Sequence, residues 1–303
     1  MTRIPVEHLF TMTLNDAHTD RVDFAGPFGR RVFERPAAGS LAGAKVTGEV
    51  LTLLATDYGN ASRDGHIRQI DAYVTARTDD GTVILMQVRG RASPTYGAGH
   101  SRIQILFTVG PGAYEWLNGI QAIGFGQDVG GDTLYEVYAL TGAPESDAAS
   151  GSSPDGAARE TVDAEYLFTR QSQHTPGAER HIIDNPLGKR FLSLAEGGGA
   201  FHGPRLRGQF LPGFSWSPHR IGAQNGQQLL QYDVKTLLRT DDDVPVLMSY
   251  TGVYSSAYPA GSWMTAIVFE APDGPHAWLN EIQAIGIGRT AGGGAEYKVY
   301  ALR

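Results

Sequence analysis

Apolar and polar residues alternate with a period of two along much of this chain, the pattern of strands with one buried face. Phe10, Met12 and Leu14 alternate with Leu9, Thr11 and Thr13, which predicts a first strand over His8–Leu14. A polar stretch bearing Gly and Pro follows and predicts a loop reaching Pro36. Lys45–Leu51 alternates cleanly, with Lys45, Thr47 and Glu49 on one face and Val46 and Val50 on the other. Asp64-Gly65 and Asp79-Asp80-Gly81 are hairpin signals. They bracket a strand over Ile67–Thr78 and lead into another over Thr82–Gly90. Further strands are predicted over Ser101–Val109, Ile120–Phe125 and Leu134–Leu140. No segment carries a convincing helical period.

The plan then repeats. Trp116–Gly124 (W-L-N-G-I-Q-A-I-G) returns as Trp278–Gly286 (W-L-N-E-I-Q-A-I-G), an offset of 278 − 116 = 162 residues. Between 114–140 and 276–302, 16 of 27 positions are identical, a density that marks an internal duplication. Tyr166–Thr169 echoes Leu9–Thr11, and Gly203–Leu211 echoes Gly43–Leu51 at an offset of 160. Tyr232–Asp242 echoes Ile70–Asp80 at 162. The two-residue change places an insertion around Pro212–Asn225, expected in a loop because loops absorb length changes and registered strands do not. Residues 141–162 are small, polar and without aromatics, which predicts a flexible linker. The domain reading is a first unit over 1–140, that linker, and a second unit over 163–303. Each unit has enough short antiparallel strands to close into a barrel, which removes exposed edges; a sandwich is the alternative.

Three segments resemble the "domain of unknown function 3237" family: Gly197–Gly208 (G-G-G-A-F-H-G-P-R-L-R-G), Leu238–Asp242 (L-R-T-D-D) and Ala277–Asn280 (A-W-L-N). The second unit holds the first motif well but has Asp243 where the family's turn usually has Gly. The first unit keeps Thr78–Gly81 and Trp116–Asn118, while its first motif has drifted to Gly39–Gly48. Family members are usually a single unit, so this chain looks like a tandem fusion. The resemblance implies an all-β fold of two small antiparallel, lipocalin-like barrels in a pseudo-twofold pair. It leaves the chemistry unassigned.

Composition narrows the classes. With no cysteine, disulfides, thiolate metal sites and a Cys nucleophile are excluded. The net charge of −7 and the lack of a basic cluster argue against nucleic acid and membrane surfaces as partners. The N-terminal residues lack an apolar secretory core, so a cytoplasmic location is expected. The histidines show neither H-x-H nor H-E-x-x-H, so no metal site is expected. Gly286–Ala291 matches a dinucleotide fingerprint but precedes a strand rather than a helix, and no cofactor is expected.

The candidate chemistry gathers in the second unit. Arg205 and Arg207 share one strand face; if that face lines the barrel, it suits a carboxylate, phenolate or enolate, and otherwise it is solvated. Asp71 and Asp233 occupy matched strand positions where Asp is disfavoured, and each is a base, an ion-pair partner of Arg77 or Arg239, or a solvent-facing residue. The inserted Pro212–Arg220 stretch joins Phe214 and Trp216 to His219, as a lid with an acid–base group or as an exposed loop. Phe201, His202, Trp216, Tyr232, Asp71 and Tyr73 complete the predicted substrate-binding set. The paired Trp-Leu-Asn segments read as frame: Trp fills core and Asn closes a turn. These features predict a cofactor-independent acid–base enzyme, an isomerase, lyase or cyclase, acting on an apolar aromatic or polyketide-like molecule. Asp233, His219, Arg205 and Arg207 are its expected catalytic groups, and a non-catalytic binding barrel is the competing reading.

Overall fold

A computed structural model gives the architecture. It describes the chain except residues 16–19, 27–28, 52–55, 58, 63, 145–159, 175–179, 187, 194–195 and 293. At 20, 26, 29, 56–57, 173–174, 180, 191–193, 196–197 and 213–214 only the backbone is described. Most of the expected linker therefore lies outside the described residues. The chain divides into two compact units, Val6–Leu140 and a second that combines Thr141–Arg303 with Met1–Pro5.

The first unit's strands are β1 (Thr2–Asn15), β2 (Asp20–Gly26), β3 (Gly29–Arg35), β4 (Ala38–Ala42), β5 (Gly48–Val50), β6 (Thr56–Asp57), β7 (Asn60–Ala61), β8 (Arg68–Thr78), β9 (Val83–Ala92), β10 (His100–Val109), β11 (Ala122–Val129) and β12 (Asp132–Leu140). Eight close a ring of antiparallel pairs in the order β1, β4, β5, β8, β9, β10, β11, β12 and back to β1. Closure leaves no barrel strand with an unpaired edge, so the predicted barrel, not the sandwich, is the solution.

The second unit has β13 (Thr161–His174), β14 (Arg180–Asn185), β15 (Gly188–Ser193), β16 (Glu196–His202), β17 (Arg207–Gln224), β18 (Gln227–Thr240), β19 (Pro245–Tyr254), β20 (Ser262–Glu270), β21 (Gln283–Ala291) and β22 (Gly294–Leu302). Its ring runs β13, β16, β17, β18, β19, β20, β21, β22 and back to β13. The first residues of β1, Thr2–Pro5, pair with Thr161–Ala164 of β13 within this unit.

Two expectations need correction. The stretch before Pro36, expected to be a loop, contains the β2–β3 hairpin, in which Phe24 stacks on Phe33. The inserted Pro212–Arg220 stretch is not a lid loop but part of β17. Across a register shift between Phe210 and Ser215, this long strand exchanges β16 for β15 as its neighbour while keeping β18 on the other side. The extra residues are thus absorbed by an irregularity inside a strand, the role of a β-bulge.

The repeated motif does hold the frame. A short 3₁₀ turn at Glu115–Gly119 places Asn118, whose amide both accepts from Val109 N and donates to Val109 O, each at 2.9 Å. Asn280 does the same with Ala271 N and O at 2.8 and 2.9 Å. Gln121 Nε2 bonds the Ile105 carbonyl (3.1 Å) and Gln283 Nε2 the Ile267 carbonyl (2.9 Å). Buried amides cost free energy when unpaired, so these bonds pin each barrel end to one geometry. Leu117 and Leu279 are fully buried in the two cores.

Candidate functional site

Because strand residues alternate sides, parity decides which predicted groups enter the second barrel. On β18, Tyr232, Val234, Thr236 and Leu238 are buried and inward. Asp233 therefore faces outward with Lys235 and Arg239, paired across the sheet with Thr251. Leu206 takes the core position, which turns Arg205 and Arg207 to the outer rim. There Arg205 stacks over Trp278 (3.8 Å) and meets Glu165 (3.3 Å), and Arg207 Nε donates to the Gly203 carbonyl (3.1 Å). His202 is exposed, as is Trp216, opposite Lys235. In the first unit Tyr73 is exposed and Asp71 lies 3.7 Å from Arg89, not beside Arg77. Thus Asp233, Arg205 and Arg207 do not converge: Asp233 and Arg207 sit on the outer parity of β18 and β17, and Arg205 lies in the bend that precedes β17 rather than on a shared strand face. Tyr232 and Phe201 are the predicted residues buried in the interior, and half-buried His219 stands beside Tyr232.

What they meet there was not anticipated. Arg170 on β13 is completely buried, its guanidinium 3.8 Å from the Phe210 ring centre and 5.3 Å from that of Tyr297. Its Nη1 lies 3.4 Å from the Tyr250 hydroxyl. Tyr250 packs edge-on against Tyr232 (6.3 Å) and Tyr297 (6.3 Å), and Tyr297 against Trp263 (5.3 Å). Rings at these separations and tilts gain quadrupolar attraction, and a desolvated guanidinium over an aromatic face gains cation–π energy. Next to Tyr232 stands His219, ring to ring at 5.2 Å, with its Nε2 2.6 Å from the Ser217 hydroxyl. His219 lies in the part of β17 that pairs with β15 beyond the barrel ring.

Several polar atoms in this interior have no hydrogen-bond partner among the described residues: Tyr232 Oη, Thr236 Oγ1 and Trp263 Nε1. Burial, reinforced by the neighbouring phenols of Tyr297, Tyr250 and Tyr258, holds the Tyr232 hydroxyl well above its ordinary pKa. It therefore stays a neutral donor. Buried donors of this kind are places where a water or ligand belongs. Space for the two rings comes from glycines. A Cβ at Gly252 would lie 2.4 Å from the Tyr232 ring, and one at Gly288 2.1 Å from Trp263 Nε1.

The first barrel is the internal control. Met12 pairs with Tyr135 and Leu41 as Arg170 pairs with Tyr297 and Phe201. Ile70 faces Gly90 as Tyr232 faces Gly252, and Ser101 faces Gly126 as Trp263 faces Gly288. Val88 holds the place of Tyr250. One frame thus sets Met12, Ile70 and Val88 in one copy where the other sets an arginine and two phenols. Among the described residues no group of three or more His, Asp or Glu side chains could hold a metal ion.

Arg170 was legible in part. Phe168 and Phe10 are equivalent, and continuing that match two residues sets Arg170 on a core Met. The obstacle is a register irregularity in both copies, between His8 and Phe10 and between Tyr166 and Phe168. It buries two successive residues and breaks simple alternation.

No curated protein matches the chain. Among solved structures, it is similar to a β-barrel-like protein from Acinetobacter baumannii AYE at 21% identity, with a TM-score of 0.41, covering 48% of this chain and 99% of that one. A protein of unknown function from Clostridium acetobutylicum ATCC 824 gives 19% identity and a TM-score of 0.40, over 45% and 98% of the respective chains. An enzyme from Penicillium herquei gives 18% and 0.37, over 48% and 99%. The model of the DUF3237 family, proteins of unknown function, matches residues 4–140 and again 163–302, and the chain belongs to that family as a tandem of two units.

Proposed function

We propose that the second barrel is the working site of a cofactor-independent acid–base enzyme, an isomerase, lyase or cyclase, acting on an apolar aromatic or polyketide-like molecule. The observation that carries this reading is Arg170, fully buried among aromatic rings where the first barrel has Met12. A guanidinium in a water-poor interior stabilises an oxyanion far better than it would in water. The phenols, Phe210 and Trp263 offer faces to a flat apolar body. In this mechanism His219 removes a proton from carbon next to a substrate carbonyl. Arg170 and the Tyr250 hydroxyl hold the resulting enolate oxygen, and the neutral Tyr232 phenol donates a hydrogen bond to it. Return of the proton to a different carbon isomerises the substrate; attack by the enolate carbon on a second carbonyl closes a ring.

The outward position of Asp233 favours the competing reading, a barrel that binds such a molecule without turning it over. The two readings separate in deuterium oxide. Enolisable aryl ketones are incubated with the protein and exchange at the carbon beside the carbonyl is followed by NMR. The enzyme reading expects catalysed exchange that falls on the order of 10²–10³-fold in Arg170→Met and in His219→Ala. Binding without exchange in the wild type selects the carrier, and neither binding nor exchange across the panel defeats both.

A further inference from the structure

The first barrel holds a site of its own. A cavity of about 460 Å³ opens at the end of the barrel where β8 begins and β9 ends. This volume falls within the usual range for small-molecule pockets, roughly 300–1,000 Å³. Its apolar floor includes Ile70, Ala92 and Tyr135, and three basic side chains line it: His66, Arg68 and His100.

The cavity has a sequence cause. Ser101 also lines it, at the position that Trp263 fills in the second barrel. There the indole lies over Gly288 and packs edge-on against Tyr297; here Gly126 and Tyr135 stand in the same places with only a hydroxymethyl beside them. A second exchange, Ile70 for Tyr232, removes another ring at the same level.

The charges favour an anion. Arg68 and Arg21 both pair with Glu34, and Arg21 and Arg30 both reach Asp23, which makes three guanidinium groups on two carboxylates. The acid lining the cavity, Asp128, is engaged by the Thr133 hydroxyl (3.1 Å). His66 stands 3.6 Å from Asp64, and His100 Nδ1 lies 2.9 Å from the Ala98 carbonyl.

We propose that this cavity binds a small carboxylic acid with an apolar, ring-sized body, the body against Ile70, Ala92 and Tyr135 and the carboxylate toward Arg68 and His100. The site is independent of the second barrel, so one chain carries two ligand sites of different character.

The test uses the full chain and isothermal titration with 3-phenylpropanoate, against 3-phenylpropanamide as its uncharged counterpart. The acid is expected to bind at least tenfold more tightly than the amide, and Arg68→Gln to bring the two together. Ser101→Trp copies the second barrel's own filler and should weaken acid binding at least tenfold while the thermal midpoint holds. Should that variant fail to fold, Ser101→Leu provides the smaller plug. Arg170→Met should leave the acid affinity intact. Equal affinity for acid and amide, no detectable binding of the acid at millimolar concentration, wild-type affinity in folded Ser101→Trp, or loss of binding in folded Arg170→Met would each overturn the proposal.

Discussion

Replacing Arg170 by Met should separate stability from function in opposite directions. The guanidinium gains about 2 kcal/mol from its desolvated place over Phe210. Its contact with Tyr250, at 3.4 Å, is long and adds about 1 kcal/mol. Against these stands the desolvation of a fully buried cation, several kcal/mol even after relaxation. Methionine removes that penalty and fits an equivalent site, since Met12 is 1% exposed at the same register in the first barrel. Arg170→Met should therefore be as stable as the wild type or up to about 3 kcal/mol more stable. Arg170→Ala also removes the charge but leaves a void, which costs about 2–5 kcal/mol relative to the filled variant. Urea unfolding followed by circular dichroism measures both midpoints, and the difference between the variants cancels most errors of the unfolded reference. Arg170→Met falling more than about 3 kcal/mol below the wild type, or level with Arg170→Ala, would show that the arginine is a structural keystone and refute the argument.

Other expectations follow from single contacts. Asn280→Ala removes both bonds to Ala271 and should cost about 2–4 kcal/mol in urea unfolding, as should Asn118→Ala through Val109; a loss below about 0.5 kcal/mol in either would deny the amide its turn-closing role. Gly288→Ala places a Cβ 2.1 Å from Trp263 Nε1, so the indole must leave its seat. A destabilisation of about 1–3 kcal/mol and a changed tryptophan emission spectrum are expected, and an unaltered spectrum would contradict the packing. Burial, with a smaller contribution from Tyr166, pushes the Tyr300 phenol up to about 12. A raised folded-state pKa gives stability that is complete below the unfolded value near 10 and is lost as pH climbs from about 10 to 12. Absorbance titration at alkaline pH should show this late phenol, and Tyr300→Phe should lose that component.

The frame was open to inspection because duplication supplies its own comparison. Trp116-Leu117-Asn118 and its second copy mark turns whose polar groups bond the same backbone positions in both units. Strand alternation likewise led to most strands of the first ring, though not to the short β4, and left β16 of the second ring unassigned. The interior was harder, since alternation gives parity only where register is regular. Arg205 and Leu206 precede β17, yet Leu206 is the apolar residue that takes the core side, so the outward arginines were inferable from their neighbour. On β13 the shift between Tyr166 and Phe168 buries Leu167 and Phe168 in succession, and no local pattern reveals that Arg170 turns inward. The inserted stretch misled in a different way, because length changes are ordinarily absorbed by loops, and its Pro218 needs a place that a strand seldom offers. Pro218 nonetheless sits within β17, opposite Leu192 of the short β15.

The two copies also show how a barrel changes its chemistry without changing its frame. Gly126 and Gly288 lie under equivalent β-strand positions, and each leaves room that a Cβ would remove. In the second unit a tryptophan uses that room; in the first Ser101 and the Tyr135 ring share it and line a cavity beside it. A substitution at such a position needs no movement of backbone, because the space already exists and closure keeps every barrel strand paired. The same holds for Met12 and Arg170, whose cross-strand partners stay in register across the exchange. Inward positions over glycine, and those opposite an aromatic partner, are thus where the units can diverge at least structural cost. The largest chemical differences between the barrels fall at those positions, while the repeated Trp-Leu-Asn turns, whose amides are committed to backbone bonds, stay the same in both.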